Sequence, residues 1–294
     1  MKNIKNLLND QSKVNLACGA SNALIAKLAE NAGFDAVWLS SFEMHAWNRL
    51  PDASILDVSD YSNAIKRMTD RIEIPILVDA DEGGPSAINT IRMAREYSKA
   101  GAWGMCIEDN PCPKRCSFYG IKKDLEKTKI TVGKIKAAME QVERNRVTRN
   151  EFAVIARTES LIQGMGINIA IERAKAYTDT GCDGFLIHSK KETPDEIMQF
   201  CDTYHKENLK TPLVIVPTTY NEITVQQMSN CGISLAIYPN YSVRATLKEL
   251  TPMFEKIIND ESLSAGNDFA VPMDDIFDLI DVNELKENQK KYGS

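Results

Sequence analysis

Ile76-Leu77-Val78-Asp79-Ala80-Asp81-Glu82-Gly83-Gly84 is an apolar run that ends abruptly in carboxylates, with Pro85 behind it. β-Branched and leucine residues followed by acids and paired glycines read as a buried strand that breaks into a loop at its carboxyl end. Asp79 and Asp81, two residues apart, project from the same face if the segment stays extended. Their oxygens suit a hard divalent cation such as Mg2+, which keeps several of its waters. Alone, the stretch reads equally well as a strand-to-turn transition with solvated acids. The rest of the chain decides between the two.

Working outward, the same ending recurs. Ala36-Val37-Trp38-Leu39-Ser40-Ser41 follows Gly33, and Met105-Cys106-Ile107-Glu108-Asp109 follows Gly101. Phe185-Leu186-Ile187-His188-Ser189 follows Gly181, and Leu235 to Asn240 follows Gly232. Glycine just past a helix permits the left-handed turn that stops it, so each unit reads as helix, cap, buried strand. Ile74 to Asp81, Phe152 to Glu159 and Pro212 to Thr218 lack the glycine, and Asn15 to Gly19 opens the series. Helical patterns separate the runs. One starts at Ser21 as N-cap and ends at Ala32; another puts Val132, Ile135, Met139 and Val142 on one face. Eight buried strands alternating with helices predict an α/β fold, a (β/α)8 TIM barrel, with a doubly wound open sheet as the second choice. A barrel places function at the strand carboxyl ends.

Length and composition agree. A chain of 294 residues with 26% charged residues is an ordinary globular chain, and its length fits one barrel domain over 1–294. The net charge of -6 argues against a nucleic-acid partner. Seven scattered cysteines read as reduced thiols rather than a disulfide framework. Met1 to Asp10 is polar without a signal-peptide core, and no apolar run has membrane-spanning length, so a cytoplasmic location is expected. Two segments exceed a minimal barrel. Asn110 to Lys129 is long enough to be a lid or binding loop. The tail, Asp274 to Lys291, reads as two short helices whose Ile276, Leu279, Ile280 and Leu285 need a surface, on a neighbouring subunit or on their own barrel.

The strand ends supply the chemistry. Asp79, Asp81 and Glu108 can hold one metal, mostly through water. Arg157 offers a planar fork for a carboxylate or phosphonate. His188 can donate to an enolate oxygen or act as acid or base. Ser40 and Ser41 can give hydroxyl and backbone N–H groups to an anion. Lys114-Arg115-Cys116-Ser117 brings two cations and a thiol, whose pKa those cations would lower. His45 and His205 are assigned no role.

These residues together resemble the phosphoenolpyruvate mutase/isocitrate lyase superfamily, from about Val14 to the tail. The segments that carry the likeness are Val37-Trp38-Leu39-Ser40-Ser41, Pro51-Asp52-Ala53, Asp79-Ala80-Asp81, Glu108-Asp109 with Pro113-Lys114, Ile155 to Glu159, His188-Ser189-Lys190-Lys191 and Val216-Pro217-Thr218. The last two, with Thr219-Tyr220 and Asn240 to Arg244, look like the phosphonate branch, which holds phosphoenolpyruvate mutase and phosphonopyruvate hydrolase. The resemblance implies a barrel whose eighth helix is swapped between subunits, a homodimer or homotetramer, and Mg2+ beside a small anionic 2-oxo acid that reacts through its enolate. It implies Asp52, Asp79, Asp81 and Glu108 as the magnesium set, with Asp79 the direct ligand. It places Trp38, Ser40, Ser41, Arg157 and His188 around the substrate, and Lys114 and Cys116 on a gating loop over 110–129. The implied reaction interconverts phosphoenolpyruvate and phosphonopyruvate. The gate departs from the mutase pattern: Asn110 stands where a Lys is usual and Cys116 where an Asn is usual. Glu82-Gly83-Gly84-Pro85 also replaces the usual Thr-Gly-Tyr/Phe-Gly. Lys114-Arg115-Cys116 instead looks like the carbon–carbon lyases, in which that Cys delivers a proton. Hydrolysis of phosphonopyruvate, cleavage of a 2-hydroxy or 2-oxo diacid with Cys116 as acid/base, and a barrel that binds without turnover are the alternatives.

Overall fold

A computed structural model describes residues 3–120, 124–144 and 151–293. Residues 121–123 of the expected gating loop lie outside the described residues. The chain opens with α1 (Ile4–Asn9), β1 (Asn15–Gly19), α2 (Ala23–Asn31), β2 (Ala36–Leu39), α3 (Ser41–Trp47) and α4 (Val58–Thr69). It continues through β3 (Ile76–Asp79), α5 (Ala87–Ala100), β4 (Gly104–Glu108), α6 (Thr128–Glu143), β5 (Ala153–Thr158) and α7 (Ile167–Thr178). Then follow β6 (Gly184–Ile187), α8 (Asp195–Lys206), β7 (Leu213–Ile215), α9 (Val225–Asn230), β8 (Ile233–Tyr238) and α10 (Tyr241–Asn259). α11 (Met273–Leu279) and α12 (Val282–Tyr292) close the chain.

All eight strands are parallel and close into a barrel in sequence order. Cys18 of β1 pairs with Val37 of β2 on one side and Tyr238 of β8 on the other. Strands covered on both faces read as unbroken apolar runs, and β5 is buried at all six of its residues. The helix-stop glycines behave as read: Gly33, Gly101, Gly181 and Gly232 all have positive φ. At Gly101 the need is double, because a Cβ there would also stand 2.5 Å from Thr69 Oγ1. Helix α2 is capped one residue later than expected, by Asn22, whose side chain accepts from the Ile25 N–H at 3.0 Å.

The core has two layers. Val37, Leu39, Ile76, Val78 and Ile107 point outward against Tyr61, Tyr97 and Phe200 of the helices. Ala17, Ala36, Trp38, Leu77, Cys106, Ile155, Leu186 and Leu235 fill the barrel, and Ile4, Leu7 and Leu8 of α1 join that inner cluster. α1 plugs the amino ends of the strands: Asn15 Nδ2 donates to the Leu7 carbonyl at 2.8 Å. With its floor closed, the barrel is open to ligand at the carboxyl ends.

Met1–Ser242 and Val243–Ser294 are two compact units. In the second, Gly266 approaches Ile257 so closely that a Cβ would lie 2.8 Å from its side chain. Leu247, Phe254 and Ile258 of α10 and Ile280 and Leu285 of the tail are exposed. No helix among the described residues is long and apolar enough to cross a membrane.

Candidate active site

Strand β3 ends at Asp79, and the chain then turns: Asp81 has φ 49°, in the left-handed region. Asp79 and Asp81 therefore meet through a turn and not along an extended segment. The Asp81 N–H donates to Asp79 Oδ1 at 3.3 Å, and the Asp81 carbonyl accepts from the Glu108 N–H at 2.9 Å. An aspartate can hold this conformation because its short side chain bonds locally.

Around this turn the mouth is built from charge. Ser41, the first residue of α3, donates to Asp52 Oδ1 at 2.8 Å and lies 3.1 Å from Asp81 Oδ2. Lys114 reaches in from the loop after β4. Its Nζ is 2.7 Å from Asp81 Oδ1, 2.8 and 3.0 Å from the Asp52 oxygens and 3.2 Å from Ser41 Oγ. Arg157 of β5 is the second cation, with Nε 2.7 Å from Glu159 Oε1 and 3.2 Å from Glu108 Oε2. Asn110 Nδ2 holds the other Glu108 oxygen at 2.6 Å.

The loop after β4 lies on this mouth. The Cys116 N–H donates to the Asp52 carbonyl at 3.0 Å, and the Asp52 N–H donates to the Tyr119 hydroxyl at 2.9 Å. Ser117 donates to Glu159. The Phe118 ring meets the His188 ring edge-on at 5.7 Å. Lys114 is 4% exposed, which is deep for an ammonium and needs its two carboxylates.

Burial dominates the titration of these groups. It pushes Asp79 up to about 6, with the neighbouring Asp81 charge adding to it. It pushes Glu108 up to about 8, against the Arg157 charge. Burial also opposes ionisation of Asp52, but the Lys114 ammonium and Ser41 outweigh it and hold that carboxyl below its usual range. Burial lowers His188 to about 4, so at neutral pH the ring is uncharged, with a buried Nδ1 that has no partner. The thiol of Cys116 is pushed up to about 11, again chiefly by burial, which reverses the lowered value expected from its two cationic neighbours. The Lys114 charge is committed to Asp52 and Asp81 and too little of it reaches the sulfur.

The oxygens present fit a hard divalent cation. Asp52, Asp79, Asp81, Glu108 and Glu159 are buried against only two cations, and burial pushes two of the five above the usual carboxylate range. Asp81 Oδ1 and Glu108 Oε2 accept no hydrogen bond of good geometry, although Lys114 and Arg157 stand close enough to pair with them electrostatically. No three acids among the described residues converge as a direct ligand set, so a cation here would be held largely through water.

The remaining expected residues fall as follows. The Ser40 hydroxyl oxygen caps α3, accepting from the Glu43 N–H at 3.3 Å. Trp38 is buried in the barrel interior. Asp109 does not join the mouth and turns to the helix side, bonded to Thr158, Arg173 and Tyr177. Glu159, Asn110, Ser117, Phe118 and Tyr119 contact the mouth without having been assigned to it. Glu159 carried a signal, its place two residues after Arg157 at one strand end; the loop residues lie in the gate over 110–129 that the resemblance implied, with no individual contact assigned to them.

Glu43 is a buried acid outside this cluster. Its Oε1 accepts from the Asn240 N–H at 2.8 Å and Ser242 Oγ at 3.0 Å, and burial pushes its pKa from 4.5 up to about 7. Its folded-state value lies above that of the unfolded chain. Its contribution to stability is therefore complete below about pH 4.5 and lost as pH rises through about 7. Glu43→Gln keeps an acceptor and removes the charge. Between pH 5 and pH 8 the variant should lose about 2.5 kcal/mol less stability than the parent. Urea midpoints at the two pH values test this; equal losses would overturn it.

A closed parallel barrel whose acids, arginine and histidine gather at the strand carboxyl ends defines the chain as an enzyme of the phosphoenolpyruvate mutase/isocitrate lyase superfamily. A family model, phosphoenolpyruvate phosphomutase, matches residues 4–258, and the chain belongs to that family. It is 34% identical to a phosphonopyruvate hydrolase of Variovorax sp. (strain Pal2), over 96% of each chain. The structure of a phosphoenolpyruvate phosphomutase from Streptomyces platensis subsp. rosaceus superposes with a TM-score of 0.92 at 33% identity, covering 99% of this chain and 98% of that one. A phosphonopyruvate hydrolase in complex with oxalate and Mg++ gives 0.89 at 31%, with the same coverage. Relatives named as mutases and as lyases match as well.

Proposed function

We propose that this enzyme interconverts phosphoenolpyruvate and phosphonopyruvate, with Mg2+ held by Asp79, Asp81, Glu108 and Asp52 through direct and water-mediated contacts. The observation that carries the reading is the loop 114–119 lying on the mouth. Lys114 is buried on Asp52 and Asp81, Ser117 bonds Glu159, and Phe118 covers His188. A phosphoryl group that moves between carbon and oxygen without escaping must be kept from water, and a docked lid does that.

Each residue has a task that its surroundings allow. Both ion pairs of Arg157 run through Nε, which leaves the Nη groups to fork onto the oxo-acid. His188, uncharged, borders the oxo-acid as a neutral ring and not as a cation. Lys114 keeps Asp52 ionised, pairs with Asp81 and adds a positive charge at the lid. Ser40 and Ser41 and the face of Trp38 line the oxo-acid side. When bound, the metal acts as a Lewis acid toward the enolate.

The test is phosphorus NMR of the purified enzyme with phosphonopyruvate and Mg2+. A phosphoenolpyruvate resonance is expected, and it should vanish with chelator. Inorganic phosphate appearing with pyruvate would replace the mutase by a hydrolase. The lyase reading has one observation in its favour: Cys116 remains a thiol at neutral pH and sits on the docked loop, as a proton donor must. Turnover of a malate-like diacid that collapses in Cys116→Ser would establish that reading; absence of phosphonopyruvate and diacid turnover alike would favour a barrel that only binds.

The exposed apolar residues of α10 and the tail support a homodimer or homotetramer in which this segment is exchanged between subunits. Sedimentation should return a multiple of 32.9 kDa, and a monomer would overturn the exchange.

A further inference from the structure

His45 lies on α3 with no exposed surface, and its Nδ1 stands 3.6 Å from Asp52 Oδ1, beyond hydrogen-bond distance. Its ring ties two segments together. Nδ1 is 2.8 Å from the Ser41 carbonyl, one helical turn earlier. Nε2 is 3.2 Å from the Ile55 amide nitrogen and 3.3 Å from that of Leu56. Backbone N–H groups only donate, so Nε2 must accept. The proton therefore sits on Nδ1 and donates to Ser41, and the contacts leave one tautomer. The backbone of the same residue holds the other end of the loop, its carbonyl accepting from the N–H groups of Asn48 and Leu50 at 3.0 and 2.9 Å. Both stems of the segment 48–56 are thus fastened to one residue, and Asp52 is at its centre.

Asp52 is where the loop after β4 lands. Its backbone takes the Cys116 N–H and reaches Tyr119, and its carboxylate takes Lys114 and Ser41. We infer that His45, fixed as the Nδ1–H tautomer, is a positioning residue that holds the Asp52 segment as the landing platform of the lid. This rests on reading 110–129 as a lid, and it assigns lid closure to a side chain that touches neither substrate nor metal.

The test reads closure without any substrate, so it stands apart from the identity of the reaction. Iodoacetamide alkylation is followed peptide by peptide by mass spectrometry in the otherwise unaltered protein. Cys116 lies on the docked loop and is only partly exposed, whereas Cys106 is buried in β4 and reports global opening. His45→Leu removes both ring contacts. It should speed Cys116 alkylation at least about tenfold, the factor that the loss of one of these hydrogen bonds alone would give, with Cys106 unchanged. His45→Gln carries an amide oxygen that can accept from Ile55 and Leu56, and it should return Cys116 to within about twofold of the parent. An unchanged Cys116 rate in His45→Leu overturns the inference. So does a parallel rise at Cys106, which would make the residue merely structural. The chain has three histidines, so long-range proton–nitrogen correlations can be assigned. They should show His45 protonated on Nδ1, and an Nε2–H tautomer also overturns the inference.

Discussion

Lys114→Met is expected to lower turnover about a thousandfold, the scale on which one preorganised electrostatic group at a reacting centre acts. The ammonium is not a surface charge that water could replace. It lies within 3.0 Å of both Asp52 oxygens and 2.7 Å from Asp81 Oδ1, and it is buried. Burial opposes its charge, but the Asp81 and Asp52 carboxylates outweigh that and hold its pKa well above the ordinary lysine value. Methionine has nearly the same reach and no charge, so it leaves two buried carboxylates facing each other. Removing one member of such a pair costs about 3–5 kcal/mol of stability. The loop should then lift and expose Cys116. Lys114→Arg separates charge from shape: it keeps the cation, so most of the stability should return, while the wider planar head fits the pocket of Ser41, Asp52 and Asp81 badly and turnover stays low. The checks are kcat with phosphonopyruvate and the urea midpoint of each variant. Turnover of Lys114→Met within tenfold of the parent would remove Lys114 from the mechanism.

The barrel was legible because its signals are local. A glycine that stops a helix, followed by an apolar run, recurs at Gly33, Gly101, Gly181 and Gly232, and each instance needs only neighbouring residues to be read. The strand-end residues were legible for the same reason: in a barrel every strand delivers its carboxyl end to one rim, so Asp79, Glu108, Arg157 and His188 had to converge. What escaped depends on contacts between distant segments. Lys114 reaches Asp52 across 62 positions, and nothing in either segment announces the other. His45 carries no motif, since its ring is spent on amides ten and eleven residues later. The reading of Asp79 and Asp81 as one extended face failed at a single backbone angle, the left-handed turn at Asp81, which no pattern of side chains encodes. The Cys116 thiol was misjudged because sequence shows which cations are near, but not that carboxylates have already engaged Lys114 or that the thiol is largely withdrawn from water.

Asp109→Ala should show how differently two adjacent acids serve one strand end. Successive residues of an extended strand point to opposite faces, so Glu108 faces the mouth and Asp109 the helices. There Asp109 Oδ2 accepts from Thr158 Oγ1 at 2.6 Å and from Arg173 Nη1 and the Tyr177 hydroxyl at 2.9 Å each. Oδ1 accepts from the Glu159 N–H at 2.8 Å. Alanine leaves all four donors without their acceptor, and one of them is the charge of Arg173, whose side chain is only 11% exposed. An uncompensated buried cation is the costly part, and the loss should be about 3–5 kcal/mol. The effect should reach the lid, because Arg173 also donates to the Glu126 carbonyl at 3.1 Å and the Glu126 N–H donates to the Asp109 carbonyl at 2.8 Å. The two stems of the loop after β4 are thus clamped together on the helix side of the sheet. Arg173→Met removes the stranded charge, so the double variant should recover more than about 1 kcal/mol relative to the sum of the single losses. Urea midpoints of the four proteins measure that coupling. A loss below about 1 kcal/mol for Asp109→Ala, within the range of an ordinary surface substitution or a single weak hydrogen bond, would mean that water replaces the carboxylate and that the clamp is not closed.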